Sequence, residues 1–204
     1  MRVVGCVAAL LLVAASAVPA HAMNWSIGAN LGANIILPQD TDINGDGIKD
    51  DLENSVDFAW PQNGLTPGLR FGFVGENPQH EFFFDTGLFL TSSKNSSFSQ
   101  FSASANYQYN FGGTGSVSPY VTFGAGFLIQ RSKDETVLPN IDLSGTGGVF
   151  GGGLGIRHRM GNGHGTMRAE VRFDRTTEGK DGTVIIFPAS NIIGFKLGFD
   201  LWDK

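Results

Sequence analysis

The sequence predicts an all-β protein, an eight-stranded antiparallel up-and-down transmembrane β-barrel, on three observations. Eight segments alternate apolar and polar residues with period two. The polar side of the alternation consists mostly of Gly, Ser, Asn and Thr, where a solvated surface would carry lysine and glutamate. The connections between segments alternate short and long, as they do in bacterial barrels.

The first segment sets Trp25, Ile27, Ala29, Leu31, Ala33, Ile35 and Leu37 against Ser26, Gly28, Asn30, Gly32 and Asn34. Its length of about 13 residues exceeds the usual five or six of a soluble strand and suits a tilted strand crossing a bilayer, which needs roughly 9 to 11. The second sets Leu65, Pro67, Leu69, Phe71 and Phe73 against Thr66, Gly68, Arg70 and Gly72; the third sets Phe82, Phe84, Thr86, Leu88 and Leu90 against Glu81, Phe83, Asp85 and Gly87. The fourth opposes Phe101, Ala103, Ala105, Tyr107, Tyr109 and Phe111 to Ser102, Ser104, Asn106, Gln108 and Asn110. The fifth opposes Val121, Phe123, Ala125, Phe127 and Ile129 to Tyr120, Thr122, Gly124, Gly126 and Gln130. In the glycine-heavy sixth, Phe150, Leu154 and Ile156 stand against Gly151, Gly153, Gly155, Arg157 and Arg159. The seventh places Met167, Ala169, Val171 and Phe173 opposite Arg168, Glu170, Arg172 and Asp174, and the eighth places Ile193, Phe195, Leu197, Phe199 and Leu201 opposite Gly194, Lys196, Gly198 and Asp200.

A soluble lipocalin-like barrel or sandwich also alternates, so the polar face decides between water and lipid outside. Small inward residues suit a narrow lumen, and outward aliphatic and aromatic residues suit hydrocarbon. The connections near Gly75–Gln79, Gly112–Ser118 and Gly161–Gly165 are short and rich in turn residues. Those near Pro38–Gly64, Ser92–Ser97, Ser132–Leu143 and Thr176–Ser190 are mostly longer, which puts both termini with the short turns, on the periplasmic side. Trp25, Phe73, Phe82, Tyr109, Phe111 and Phe199 then cluster near the short-turn strand ends as an interfacial girdle, with Trp60 a candidate for the opposite rim.

Residues 1–22 read as a signal peptide: Arg2, an apolar run from Val3 to about Ala15, then Ala20-His21-Ala22 as the cleavage pattern. Residues 23–204 form one expected domain. Cys6, the sole cysteine, lies inside the signal, so the mature chain is expected to lack disulfides, cysteine-bound metals and a thiol nucleophile. Glycine is abundant, 29 of 204 residues, and 17 phenylalanines dominate the aromatics, which fits β structure. The net charge of −5 gives no basic face for nucleic acid.

From signal to final strand the chain resembles the small outer-membrane β-barrel superfamily that includes OmpA-type transmembrane domains, OmpX and OmpW. The segment Gly194–Trp202 is similar to the terminal-strand signal read by the barrel-assembly machinery, though the chain runs on to Lys204 where that signal usually ends on an aromatic residue. The resemblance implies an outer-membrane protein, a monomer in contact with membrane lipid and lipopolysaccharide. A peptidoglycan-binding domain, found after OmpA-type barrels, is not expected.

By parity Arg70, Glu81, Asp85, Arg157, Arg159, Arg168, Glu170, Arg172, Asp174, Lys196 and Asp200 all face inward, six cations against five anions. Adjacency in the barrel would let Glu170 and Asp174 reach Arg157, Arg159 and Lys196, and Arg70 reach Glu81 or Asp85. Eight strands enclose a space only wide enough for side chains, so a plugged lumen is expected, with a polar conduit as the alternative. If the plug is dry, Glu170→Ala should cost about 3–5 kcal/mol.

Residues Asp42 to Glu53 match the twelve-residue calcium-loop pattern D-x-[DN]-x-[DN]-G-x5-E. Oxygens at positions one, three and five converge as the chain curls, glycine at six allows the sharp turn, and the acid at twelve closes the shell of a hard cation. Asp42, Asn44, Asp46 and Glu53 would bind Ca2+ directly, Ile48 through its carbonyl and Asp50 through water. The loop is similar to those of dockerins and thrombospondin type 3 repeats; a solvated acidic turn is the competing reading.

Some small barrels are lipid-modifying enzymes that need histidine and serine near one membrane face. His80, His158 and His164 all lie near the short turns, and none belongs to a His-x-Ser strand motif with a nearby acid. The expectation is a structural or surface-interaction protein and not an enzyme, with the first loop and the exposed apolar stretch Val184–Phe187 of the fourth as contact elements for an extracellular partner. A small passive channel for small or hydrophobic solutes, as the OmpW resemblance implies, is the alternative.

Overall fold

Eight long strands close into one antiparallel barrel in the computed structural model, which describes residues 24–39, 57–59, 68–75, 77–112, 115–134, 141–161, 164–182 and 184–203. In chain order the strands are β1 (Asn24–Pro38), β2 (Asp57–Ala59), β3 (Gly68–Val74), β4 (His80–Ser92), β5 (Ser96–Asn110), β6 (Val117–Asp134), β7 (Ile141–Arg159), β8 (Gly165–Thr176), β9 (Gly179–Asp181), β10 (Val184–Phe187) and β11 (Ser190–Trp202). The wall is β1, β3, β4, β5, β6, β7, β8 and β11, each paired with the next. The last strand returns to the first over a long ladder, from Ser26 opposite Trp202 to Pro38 opposite Ser190. Each of the eight strands thus has a paired neighbour on both sides, as hydrocarbon requires because it cannot satisfy a stray backbone group.

The two faces fall as parity predicts, and their polarity is inverted relative to a soluble protein. Leu154 and Leu197 on the outer face are 68% and 66% exposed, while Arg70 and Asp200 inside are 1% and 0% exposed. A continuous outer surface of Leu, Ile, Val and Phe is what a lipid solvent selects. Trp25, Phe82, Phe111 and Phe199 are exposed near the short-turn strand ends. Ring contacts tie this belt together, with centroids 5.2 Å apart for Phe82 and Tyr107, 4.9 Å for Tyr107 and Phe123, and 5.0 Å for Tyr109 and Phe111. At one short turn Gly112 adopts a φ of 81°, a left-handed conformation that L side chains rarely take.

The long-loop end departs from the sequence expectation in three places. β6 and β7 pair as far as Asp134 opposite Ile141, so the loop expected at Ser132–Leu143 is largely ladder. These strands of 18 and 19 residues outrun the roughly 9 to 11 that a bilayer needs, and their ends stand beyond the membrane. Between β4 and β5 only residues 93–95 intervene, closed by Ser93 N donating to Ser96 O at 2.7 Å. That connection is as tight as those at the other end, because the Ser93 and Ser96 hydroxyls, 2.7 Å apart, bond each other across the turn. Finally, Thr176–Ser190 is not a plain loop: β9 and β10 form a hairpin within it that turns at Gly182, φ 60°. The signal segment 1–22, Trp60 and the Leu65–Pro67 start of the second predicted strand lie outside the described residues.

Candidate functional site

The interior is a web of buried ions that crosses the lumen. Arg70 on β3 stands opposite Asp85 of β4 in the ladder, but its guanidinium runs over Phe83, 3.3 Å from the ring centre, and pairs directly with Glu81 four residues along β4. Glu81 also receives Arg157 from β7, 3.6 Å away on the far side of the lumen, and Gln108 Nε2 donates to it at 3.3 Å. Arg70 bonds Gln108 at 3.1 Å and approaches Asp200 of β11 at 3.8 Å. Asp200 is gripped by Arg168 of β8 through two bonds of 2.6 and 2.9 Å. Arg168 continues to Asn30 of β1 at 3.0 Å, Asn30 donates to Asp85 at 3.1 Å, and Asp85 accepts from Lys196 at 3.3 Å. Every member is buried, so the links exchange hydration for each other.

A second, smaller group stands on β8 alone. Arg172 donates to both oxygens of Asp174 at 2.8 Å, and its Nη1 lies 3.6 Å from Glu170 Oε1. The latter distance is too long for a hydrogen bond, and neither of those two atoms has one. This corrects the sequence expectation that Glu170 and Asp174 would pair with Arg157, Arg159 and Lys196. Arg157 faces Arg168 in the ladder, a like charge, and crosses to Glu81 instead. The ring of Tyr120 lies over Gly155, the residue opposite Glu170, and fills the ground between Glu170 and Arg157. Lys196 faces Glu170 in the ladder yet reaches across to Asp85. Arg159, at the strand end, is half-buried and makes no ion pair among the described residues.

Asn30, Gln108 and Phe83 were legible as inward residues, but not as connectors of the web. Their signal was a long or flat inward side chain in a lumen otherwise lined by glycine and serine. Toward the long-loop end a cavity of about 20 Å³ remains, lined in part by Ser102, Ser104, Val149, Arg172, Asp174 and Lys196. That volume holds about one water molecule.

Beyond the membrane-spanning part, Arg131 on β6 bonds Asp142 on β7 through 2.9 and 2.7 Å contacts, with Lys133 3.4 Å away. The Arg131 hydrogen bonds hold the Asp142 carboxyl below its ordinary range, at about 2. At the short-turn end His80 Nδ1 lies 2.5 Å from Tyr107 Oη, and His158 and His164 are exposed on β7 and in the β7–β8 turn. The candidate calcium ligands Asp42, Asn44, Asp46, Ile48, Asp50 and Glu53 lie outside the described residues.

The family model for the outer membrane protein beta-barrel domain matches residues 7–198, nearly the entire chain. The chain belongs to that family. Membership places it in the outer membrane, with its apolar outer face against lipid. Among solved structures, the outer membrane protein OprG from Pseudomonas aeruginosa is 16% identical with a TM-score of 0.50, over 90% of this chain and 97% of that one. Neisserial surface protein A is 15% identical over 87% of this chain and 96% of its own, TM-score 0.49. The attachment invasion locus protein Ail of Yersinia pestis is 12% identical over 89% and 99%, TM-score 0.48. At such identities the likeness is one of fold. No curated protein matches the sequence.

Proposed function

We propose that this family member is a monomeric structural barrel that presents loops at the cell surface, and neither an open pore nor an enzyme. The observation that carries the reading is the ion web that spans the lumen from Arg157 through Glu81, Arg70 and Asp200 to Arg168. A lumen crossed by bonded side chains offers stiffness and no path for solutes. Both termini lie in the periplasm in this reading, the terminal strand serves the assembly machinery, and the β6–β7 extension meets the lipopolysaccharide layer. In planar bilayers the refolded protein should give no steady conductance. A reproducible open level abolished by added charge in the lumen would instead establish the passive-channel alternative, which the inward glycines and serines around the small cavity favour.

The first loop supplies the surface chemistry. The spacing of Asp42, Asn44, Asp46, Ile48, Asp50 and Glu53 is that of a calcium loop, and the outside of a cell holds enough calcium to fill even a weak site. Calorimetric titration of the refolded barrel should show saturable Ca2+ uptake that Asp46→Ala removes. Absence of heat in millimolar calcium would leave the loop an acidic turn.

A further inference from the structure

The β9–β10 hairpin does not project from the barrel; it folds back onto the inner face of β7. Gly145 and Gly147 share the inward parity of Gly151 and Gly153, and both are buried. A Cβ on Gly145 would stand 2.8 Å from Ile186 Cβ, and one on Gly147 would stand 2.9 Å from the Phe187 ring. Gly179 on β9 lies directly beneath the same ring. Three glycines thus make a flat shelf for two large apolar side chains. The ladder between β9 and β10 shifts register between Ile185 and Phe187, and this irregularity lets the consecutive residues Ile186 and Phe187 both reach the shelf. Phe187 is 8% exposed, whereas Val184 at the tip is 47% exposed. The sequence expectation of an exposed Val184–Phe187 stretch therefore holds at Val184 and is corrected at Phe187: glycine opposite the aromatic lets that end sink inward.

The hairpin's polar attachment is slight. Among the described residues β9 meets β7 in one ladder pair, Thr146 opposite Lys180, and Ser144 N donates to Asp181 Oδ2 at 3.1 Å; the remaining bonds hold the links at its base, Thr177 N to Gly148 O at 2.9 Å, Gly148 N to Thr177 Oγ1 at 2.8 Å and Gln39 N to Ala189 O at 2.8 Å. Two-residue links flank it, Thr177–Glu178 and Pro188–Ala189, while the wall continues uninterrupted beneath, with Ser190 directly opposite Thr176. A unit tied by few hydrogen bonds and seated by two side chains opens at much lower cost than the wall.

We propose that the β9–β10 hairpin is a lid over the long-loop mouth of the lumen, seated by Ile186 and Phe187 on Gly145, Gly147 and Gly179, which lifts to open the small cavity at Arg172, Asp174 and Lys196 to outside water. The web below stays closed, so the cavity is a vestibule and not part of a pore. The lid rests on the hairpin's geometry alone and stands whether or not the surface role proposed above does.

Val149 is the reporter: it lies two residues from Gly147 on the same inward face and lines the cavity. Val149→Cys is introduced into the mature chain refolded in lipid vesicles, and its reaction with a trimethylammonium methanethiosulfonate is timed against Thr146→Cys, an exposed outward position on the same strand. The intact lid should slow Val149→Cys at least about tenfold relative to Thr146→Cys, and adding Phe187→Ala should recover about tenfold. Gly147→Val, whose Cβ would stand 2.6 Å from Thr177 O and 2.9 Å from the Phe187 ring, pushes the link and the ring off the shelf together and should accelerate labelling as well. Only variants that keep the heat-modifiable gel shift of a folded barrel are compared, so either substitution suffices. Equal rates for the two reporters with the lid intact, or no acceleration in a folded lid variant, overturns the proposal.

Discussion

Arginine grips a carboxylate with two hydrogen bonds in two regions of this protein, and the two grips differ in almost everything except geometry. Inside the barrel Arg168 holds Asp200 at 2.6 and 2.9 Å; beyond the membrane Arg131 holds Asp142 at 2.9 and 2.7 Å. The inner pair is at most 4% exposed, and it shares its members with Asn30 and Arg70. The outer pair is about half exposed, 51% and 47%, and adds only Lys133. Water and salt can replace the outer contact at little loss, whereas removing an inner partner leaves a buried charge with only Asn30 or the more distant Arg70 to compensate it. The worth of an ion pair is thus set by its surroundings and its number of shared partners, not by its bond lengths.

The sharpest way to break this contrast is Glu81→Ala. Glu81 joins β4 to β3 through Arg70 and to β7 through Arg157, so one truncation removes a shared carboxylate from two buried guanidiniums at once. Unfolding in lipid, followed by urea titration, should show a loss of about 3–5 kcal/mol. A loss below about 1 kcal/mol would mean that water already fills the lumen and that the web is no stiffer than the rim.

Why the sequence revealed the wall but not the web follows from what each depends on. Whether Leu197 faces lipid and Lys196 the lumen is fixed by period two alone, since a one-residue slip would put every charge into hydrocarbon. Partner choice has no such rule. Lys196 sits opposite Glu170 in the ladder, yet its long stem carries the ammonium to Asp85 on β4, three strands round the wall on the other side. Adjacency governs backbones, while a narrow lumen brings remote strands within reach of one arginine. The lid was hidden for a similar reason: Gly145, Gly147 and Gly179 read as ordinary small inward residues, and only the fold puts Ile186 and Phe187 upon them. The calcium pattern, by contrast, is entirely a property of spacing along one short segment, so the sequence carries it whole.

Glu170→Ala tests the intermediate case, a buried carboxylate outside the cross-lumen web. Its partner Arg172 keeps both bonds to Asp174 when Glu170 is lost, and the 3.6 Å contact being removed is not a hydrogen bond. The dry-plug expectation of a large loss therefore shrinks to about 1–3 kcal/mol, the cost of disturbing a buried polar group whose neighbour stays partnered. Measured beside Glu81→Ala in the same lipid, an equal or larger loss would show that position in the web does not matter, and that burial alone sets the scale.

The smallest effect belongs to the exposed grip, and there pH separates it from everything inside. Asp142 titrates near 2 in the folded protein, held down by its hydrogen bonds from Arg131, against an unfolded carboxylate near 4. A depressed folded value means that the contact favours the folded state above the unfolded pKa and ceases to do so as pH falls through the folded one. Asp142→Asn should leave the melting temperature at pH 7 within a degree or two of wild type, on the order expected of solvent-exposed pairs. Whatever difference exists should shrink between about pH 4 and pH 2, where wild type loses the charge that the variant never had. A large shift at pH 7, or a difference that grows as the solution is acidified, would show that the outer pair is coupled to the barrel as tightly as Arg168 and Asp200 are.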